Sequence, residues 1–211
     1  MKASIRLRCA VGAALLIMVV GSVAADKDTT VKTKLSPYNE TPSTLNSTGS
    51  GEFKATISTD GTTIDYVETF QDLSSTVTQS HIHFGRPGLT GGVVLFLCYN
   101  PAPPASIAAP AGVPTPPICP TTSPATVTGT LTQANVIPLS GQGIDAGAAG
   151  FAEMIQAIQH GAAYVNVHST LHPSGEIRGR LGGGNREGDE RDDHDGHERH
   201  DGHDGGGHEG H

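Results

Sequence analysis

Apolar and polar residues alternate in short runs along most of this chain, and Gly, Pro or Asp-Gly breaks the runs. A period of two is the mark of half-buried strands in antiparallel sheets. Phe53, Ala55 and Ile57 alternate with Glu52, Lys54 and Thr56. Asp60-Gly61 then reads as a hairpin turn, and Ile64, Tyr66, Glu68 and Phe70 share one face of the returning strand. A further strand is predicted over 76–84. A glycine-rich turn follows at 85–92, and then a nearly continuous apolar strand at 93–98, expected at the centre of a sheet. Strands over 126–132, 162–168 and 176–181 complete the set. The period changes over 148–159, where Phe151, Met154, Ile155 and Ile158 recur at helical spacing. One amphipathic helix is predicted there, stopped by Gly161. The expected fold is all-β: an antiparallel Greek-key sandwich or barrel with one short helix and a disordered C-terminal tail.

The two ends of the chain do not follow this pattern. Lys2, Arg6 and Arg8 precede the apolar run 11–20 and the small residues Gly21-Ser22-Val23-Ala24-Ala25. Basic, apolar and small regions in that order make a secretory signal peptide over 1–25. The apolar run is short for a bilayer, which requires roughly 20 residues. The expected product is a secreted, periplasmic or extracellular protein with no membrane span after cleavage. Residues 26–181 suffice for one domain. From 182 to 211 apolar residues vanish and Gly, Asp, Glu and His dominate, so this segment cannot bury enough surface to fold alone.

Charge and cysteine content narrow the picture. The chain carries 21 acidic and 13 basic residues, a balance that argues against nucleic acid as a partner, because phosphates attract a basic face. Cys98 and Cys119 are the cysteines left after export. An even count in an oxidising compartment predicts one disulfide, closing a loop with seven prolines between Pro101 and Pro117.

Histidines supply the candidate chemistry. His81 and His83 lie at i, i+2 on one strand and so point to one face. Ile82 and Phe84 can take the core face. On a later strand Val165 and Val167 face the core, which turns His168 outward with Tyr164 and Asn166. The phases predict an outward-facing site of His81, His83 and His168, suited to Cu²⁺ or Zn²⁺. Structural hydrogen bonding is an equally open reading of the same residues. Metal binding should weaken as pH falls through about 6.5, where free imidazole protonates. His172 reads as an exposed turn residue and His160 as a helix C-terminal residue. Glu176 and Arg178 share a strand face and read as structural. The tail adds His194, His197, His200, His203, His208 and His211, with ten carboxylates between Glu187 and Glu209. Imidazole with carboxylate makes an adaptable, low-specificity divalent-metal site. No Ser-His-Asp order, nucleophile elbow or phosphate loop is visible.

Several motifs in order resemble the CHRD domain, a module named after repeats in the secreted protein chordin. They are Asn39-Glu40-Thr41-Pro42; Gly49 and Gly51; Ser80-His81-Ile82-His83 with Gly88 and Gly91-Gly92; and Gly129-Thr130-Leu131-Thr132. Gly161 with Tyr164-Val165-Asn166-Val167-His168, then Gly175-Glu176-Ile177-Arg178-Gly179, complete the set. The likeness covers 35–181. It implies a secreted binding module with an extracellular protein partner. A fainter likeness to two strands of copper–zinc superoxide dismutases is used only as an analogy. Three functions are compatible with these features. The first is a non-enzymatic binding module, linked to copper or zinc. The others are a copper-dependent, dismutase-like redox enzyme and a structural envelope or matrix component.

Overall fold

The computed structural model describes residues 27–101 and 111–182. Eight strands form two antiparallel four-stranded sheets. The strands are β1 (Thr29–Leu35), β2 (Ser50–Ile57), β3 (Ile64–Gln71), β4 (Val77–Phe84), β5 (Gly92–Tyr99), β6 (Ala125–Leu131), β7 (Ala163–Ser169) and β8 (Ile177–Leu181). One sheet has the order β1-β2-β3-β6 and the other β5-β4-β7-β8. After β3 the chain crosses to make β4 and β5, then returns to lay β6 beside β3, a Greek-key path. The sequence expectation of an all-β antiparallel fold with one short helix holds. That helix, α1, is Gly147–Gln159.

The alternation places its apolar residues between the sheets. Phe53, Ala55, Ile57, Ile64, Tyr66, Phe70, Val127 and Leu131 of the first sheet are buried in one cluster with Ile82, Leu95, Leu97, Val165, Val167, Ile177 and Leu181 of the second. Phe151, Met154, Ile155 and Ile158 of α1 join this cluster. Gly161 ends the helix with φ +70°, in the left-handed region glycine tolerates. The solvent face of the first sheet carries Lys32, Lys34, Glu52 and Lys54, all exposed.

Two sequence expectations need amendment. The apolar strand β5 is at the edge of its sheet, not its centre. It is apolar because both its faces are covered: Leu95 and Leu97 face the core, and Phe96 faces the histidines. The free edge is also covered, since Ile137 donates its backbone N–H to Val94 (2.9 Å) and Tyr99 donates to Pro117 (2.9 Å), as an exposed apolar edge requires. β1 is an additional strand, paired along its whole length with β2. The predicted signal peptide, residues 102–110 of the proline-rich loop and the tail beyond Gly182 lie outside the described residues.

The remainder of that loop is held by the expected disulfide, Cys98–Cys119, with Cα atoms 5.0 Å apart. Both cysteines are fully buried. Thiol labelling of the unreduced protein should find neither residue free. The paired Cys98→Ala, Cys119→Ala variant should lose about 3 kcal/mol of stability, the usual scale for a loop of this length. An unchanged denaturation midpoint contradicts that contribution.

Glu68 shares the inner face of β3 with its apolar neighbours and is fully buried. It accepts a hydrogen bond from the Ser80 hydroxyl across the sandwich (2.7 Å), while its second oxygen has no partner. Burial pushes its pKa up to about 8, against the lowering effect of the Ser80 bond. A folded-state pKa above the unfolded value means that its stabilising effect is complete below about 4.5 and is lost as pH rises through about 8. Glu68→Gln keeps the shape and removes the titration. Relative to the variant, the natural chain should lose up to about 1.4 kcal/mol per pH unit across that window. Parallel stability–pH curves for the two chains contradict this assignment.

Candidate metal centre

β4 and β7 lie side by side, with His81 opposite Asn166 and His83 opposite Tyr164. Strand phase turns Ile82, Val165 and Val167 inward, so His81, His83, Tyr164, Asn166 and His168 stand together on the outer face of the second sheet. β5 adds Phe96 beside His81, and β8 adds Arg178 beside Asn166. The predicted phases are therefore correct. The predicted exposure is not, since His81, His83 and His168 have only 0, 7 and 4 % of their surface accessible.

Loops bury this face. The segment just after β1 crosses it, with Ser36 bridged to Arg178 and the Asn39 side chain donating to the Arg178 carbonyl (3.1 Å). The β4–β5 turn brings in the Gly91 and Leu89 carbonyls, and the β7–β8 turn brings in that of Pro173. Glycine is demanded at two of these approaches. A Cβ on Gly91 meets the Phe84 carbonyl oxygen at 1.9 Å, and one on Gly175, at φ +123°, meets the Asn166 amide at 2.1 Å.

The three imidazoles converge. One ring nitrogen from each lies within 4.8 Å of the others, so a point within about 2.8 Å of all three exists, and bonds of about 2.0–2.1 Å need an inward shift below roughly 1 Å. His83 Nδ1 lies 3.0 Å from the Gly91 carbonyl oxygen, and His168 Nδ1 2.9 Å from that of Pro173. A carbonyl only accepts, so each Nδ1 donates its proton and leaves the lone pair on Nε2. Both Nε2 atoms and both nitrogens of His81 are buried without a hydrogen bond of normal geometry, although the Asn166 side chain lies near enough to His83 to favour its charged form. Backbone carbonyls that fix the tautomer behind a free Nε2 are the usual support of metal-ligating histidine.

Aromatic packing sets the ring positions. His81 meets Phe96 edge-on, with centroids 4.3 Å apart. Tyr164 stacks flat on His83 at 4.5 Å, and the Arg178 guanidinium lies 3.4 Å over the Tyr164 ring. Two groups so close cannot share one face, so Arg178, Tyr164 and His83 form a stack. Arg178 also donates to Thr41 and to the Leu89 carbonyl, and Tyr164 accepts from the Gly91 N–H. Glu176 accepts from the Ser74 backbone (2.7 Å) and hydroxyl and from Ser169 (2.5 Å). Glu176 and Arg178 thus tie down different loops. Glu40 accepts from Asn166 (2.9 Å), and burial raises its pKa to about 7. The parts played by Glu40 and Phe96 were missed in the sequence, although strand register points to Phe96.

The remaining predicted histidines are elsewhere. His160 ends α1 with Nδ1 2.8 Å from the Gln156 carbonyl oxygen. His172 is half-buried in the β7–β8 turn and outside the cluster. His194, His197, His200, His203, His208 and His211 lie outside the described residues.

The fold is thus an antiparallel β-sandwich with a buried three-histidine cluster on the outer face of one sheet. This chain belongs to the CHRD domain family, whose profile matches residues 31–181. No curated protein and no solved structure matches it. Among the described residues no helix is long and apolar enough to cross a membrane.

Burial changes the expected pH behaviour. It lowers the pKa of His83 and of His168 to about 4, and that of His81 well below its usual value, with neighbouring imidazoles adding to the effect at His81. The lone pairs therefore stay available well below pH 6.5. Since the unfolded chain binds these protons first, the metal-free cluster lowers stability as pH falls from about 6.5 to about 4. Nitrogen-detected NMR of the metal-free protein should find the three rings neutral, with the Nδ1-protonated tautomer at His83 and His168, down to about pH 5. Titration midpoints near 6.5 contradict the burial-driven shift.

Proposed function

We propose that this protein is an exported, non-enzymatic binding module that holds one copper or zinc ion between His81, His83 and His168. The carrying observation is that three buried imidazoles converge, one ring nitrogen from each lying within 4.8 Å of the others, while four of their six nitrogens have no hydrogen-bond partner. A purely structural histidine would use both nitrogens in hydrogen bonds, because a buried polar atom left unpaired costs about 1–3 kcal/mol. A metal ion satisfies three of them at once.

Export is supported by the signal-like 1–25 segment, by family membership and by the buried disulfide, which persists in oxidising compartments. The histidines and carboxylates of 194–211 would capture divalent ions with low specificity and raise their concentration near the domain. An extracellular protein partner remains part of this reading through the family.

The test uses the full chain with all six tail histidines changed to Asn, so that only the domain's ligands report. Elemental analysis after loading and desalting should find about one equivalent of copper or zinc. His83→Ala and, independently, His168→Gln should reduce that to near zero with unchanged β-sheet circular dichroism. Undiminished metal in both folded variants refutes the site. Unfolding of both variants, with no metal bound by the parent, favours a structural role. Copper loading that confers superoxide consumption would favour the redox enzyme.

A further inference from the structure

Resting on that reading, we infer that the cluster is selective for cuprous ion, held by three imidazole nitrogens, over Zn²⁺ and Cu²⁺. The first observation is the charge of the ligand set. The three ligands are neutral imidazoles, and no carboxylate or thiolate joins the group among the described residues. Two groups of opposite charge stand behind the cluster: Glu40, reached through Asn166, and Arg178, reached through Tyr164. Their charges oppose one another and leave the ligand shell without a net anion. Glu68 lies on the inner side of the sheet and is bonded to Ser80. The cost of burying an ion grows with the square of its charge, so a dication costs roughly fourfold more than a monocation in such a place.

The second observation is coordination number. Zn²⁺ in proteins takes four ligands, the fourth from the protein or from water. Among the described residues three histidine nitrogens, with no cysteine or carboxylate, converge here; the unpartnered nitrogens of all three rings are buried, and Asn166 Oδ1, also buried and unpaired, is a neutral oxygen. Phe96 and Tyr164 wall the rings with aromatic carbon, leaving a fourth, water-supplied position unfavourable. Cuprous ion has a filled d shell, tolerates three-coordination and suits soft, weakly hydrated surroundings. Neutral lone pairs on Nε2 of His83 and His168, fixed by the carbonyls behind them, are the donors such an ion needs. A dry aromatic wall also keeps water from a bound cuprous ion.

The deciding experiment uses the full-length chain with the six tail histidines changed to Asn. Cu⁺, kept reduced by ascorbate without oxygen, is competed against bathocuproine disulfonate. Zn²⁺ is competed in parallel against a fluorescent zinc chelator. One equivalent of Cu⁺ should be held at least about a hundredfold more tightly than Zn²⁺, a difference readable directly from the two dissociation constants. Cu²⁺ added in air without reductant should not be held stoichiometrically. Zn²⁺ or Cu²⁺ bound as tightly as Cu⁺ overturns the cuprous assignment while leaving a metal-holding module. Failure to hold any of the three at one equivalent overturns that module as well.

Discussion

Burial of both faces of β4 governs the rest of the structure. On its inner side Ile82 and Ser80 meet the core and Glu68; on its outer side His81 and His83 meet β7 and its covering loops. Most antiparallel sheets leave one face to water. Here three loops cross the outer face, and their carbonyls and glycines are fitted to it. Gly91 approaches β4 where no Cβ fits, and the same residue's carbonyl fixes the His83 tautomer. Fold and candidate chemistry therefore share the same contacts.

That second layer has an electrostatic consequence. Imidazoles in it are held neutral, and carboxyl groups on both sides of the sheet are pushed toward protonation. The two effects oppose each other in the dependence of stability on pH. Acidification costs the metal-free histidines and relieves Glu40 and Glu68. A bound ion removes the histidine side of that balance, because a coordinated nitrogen cannot be protonated.

Much of this was legible in the sequence. Period-two alternation and one continuous apolar run at 93–98 marked seven strands, the spacing of Phe151, Met154, Ile155 and Ile158 marked α1, and strand phase put His81, His83 and His168 on one face. β1 was missed because only Val31 and Leu35 are buried along its seven residues, too faint a signal beside the threonines and lysines. The edge position of β5 was hidden because covering segments bury an edge as thoroughly as neighbouring strands do. Burial of the site was also hidden. It depends on Glu40 reaching Asn166, 126 residues away in sequence, and on loops whose paths carry no periodicity.

Beneath these loops three neutral imidazoles are proposed to converge on one ion. Anomalous diffraction at the copper edge, from crystals grown anaerobically with Cu⁺, tests it most directly. One strong peak is expected about 2.0 Å from Nε2 of His83, Nε2 of His168 and a ring nitrogen of His81. A map without a peak there, with full copper occupancy elsewhere on the domain, would contradict it.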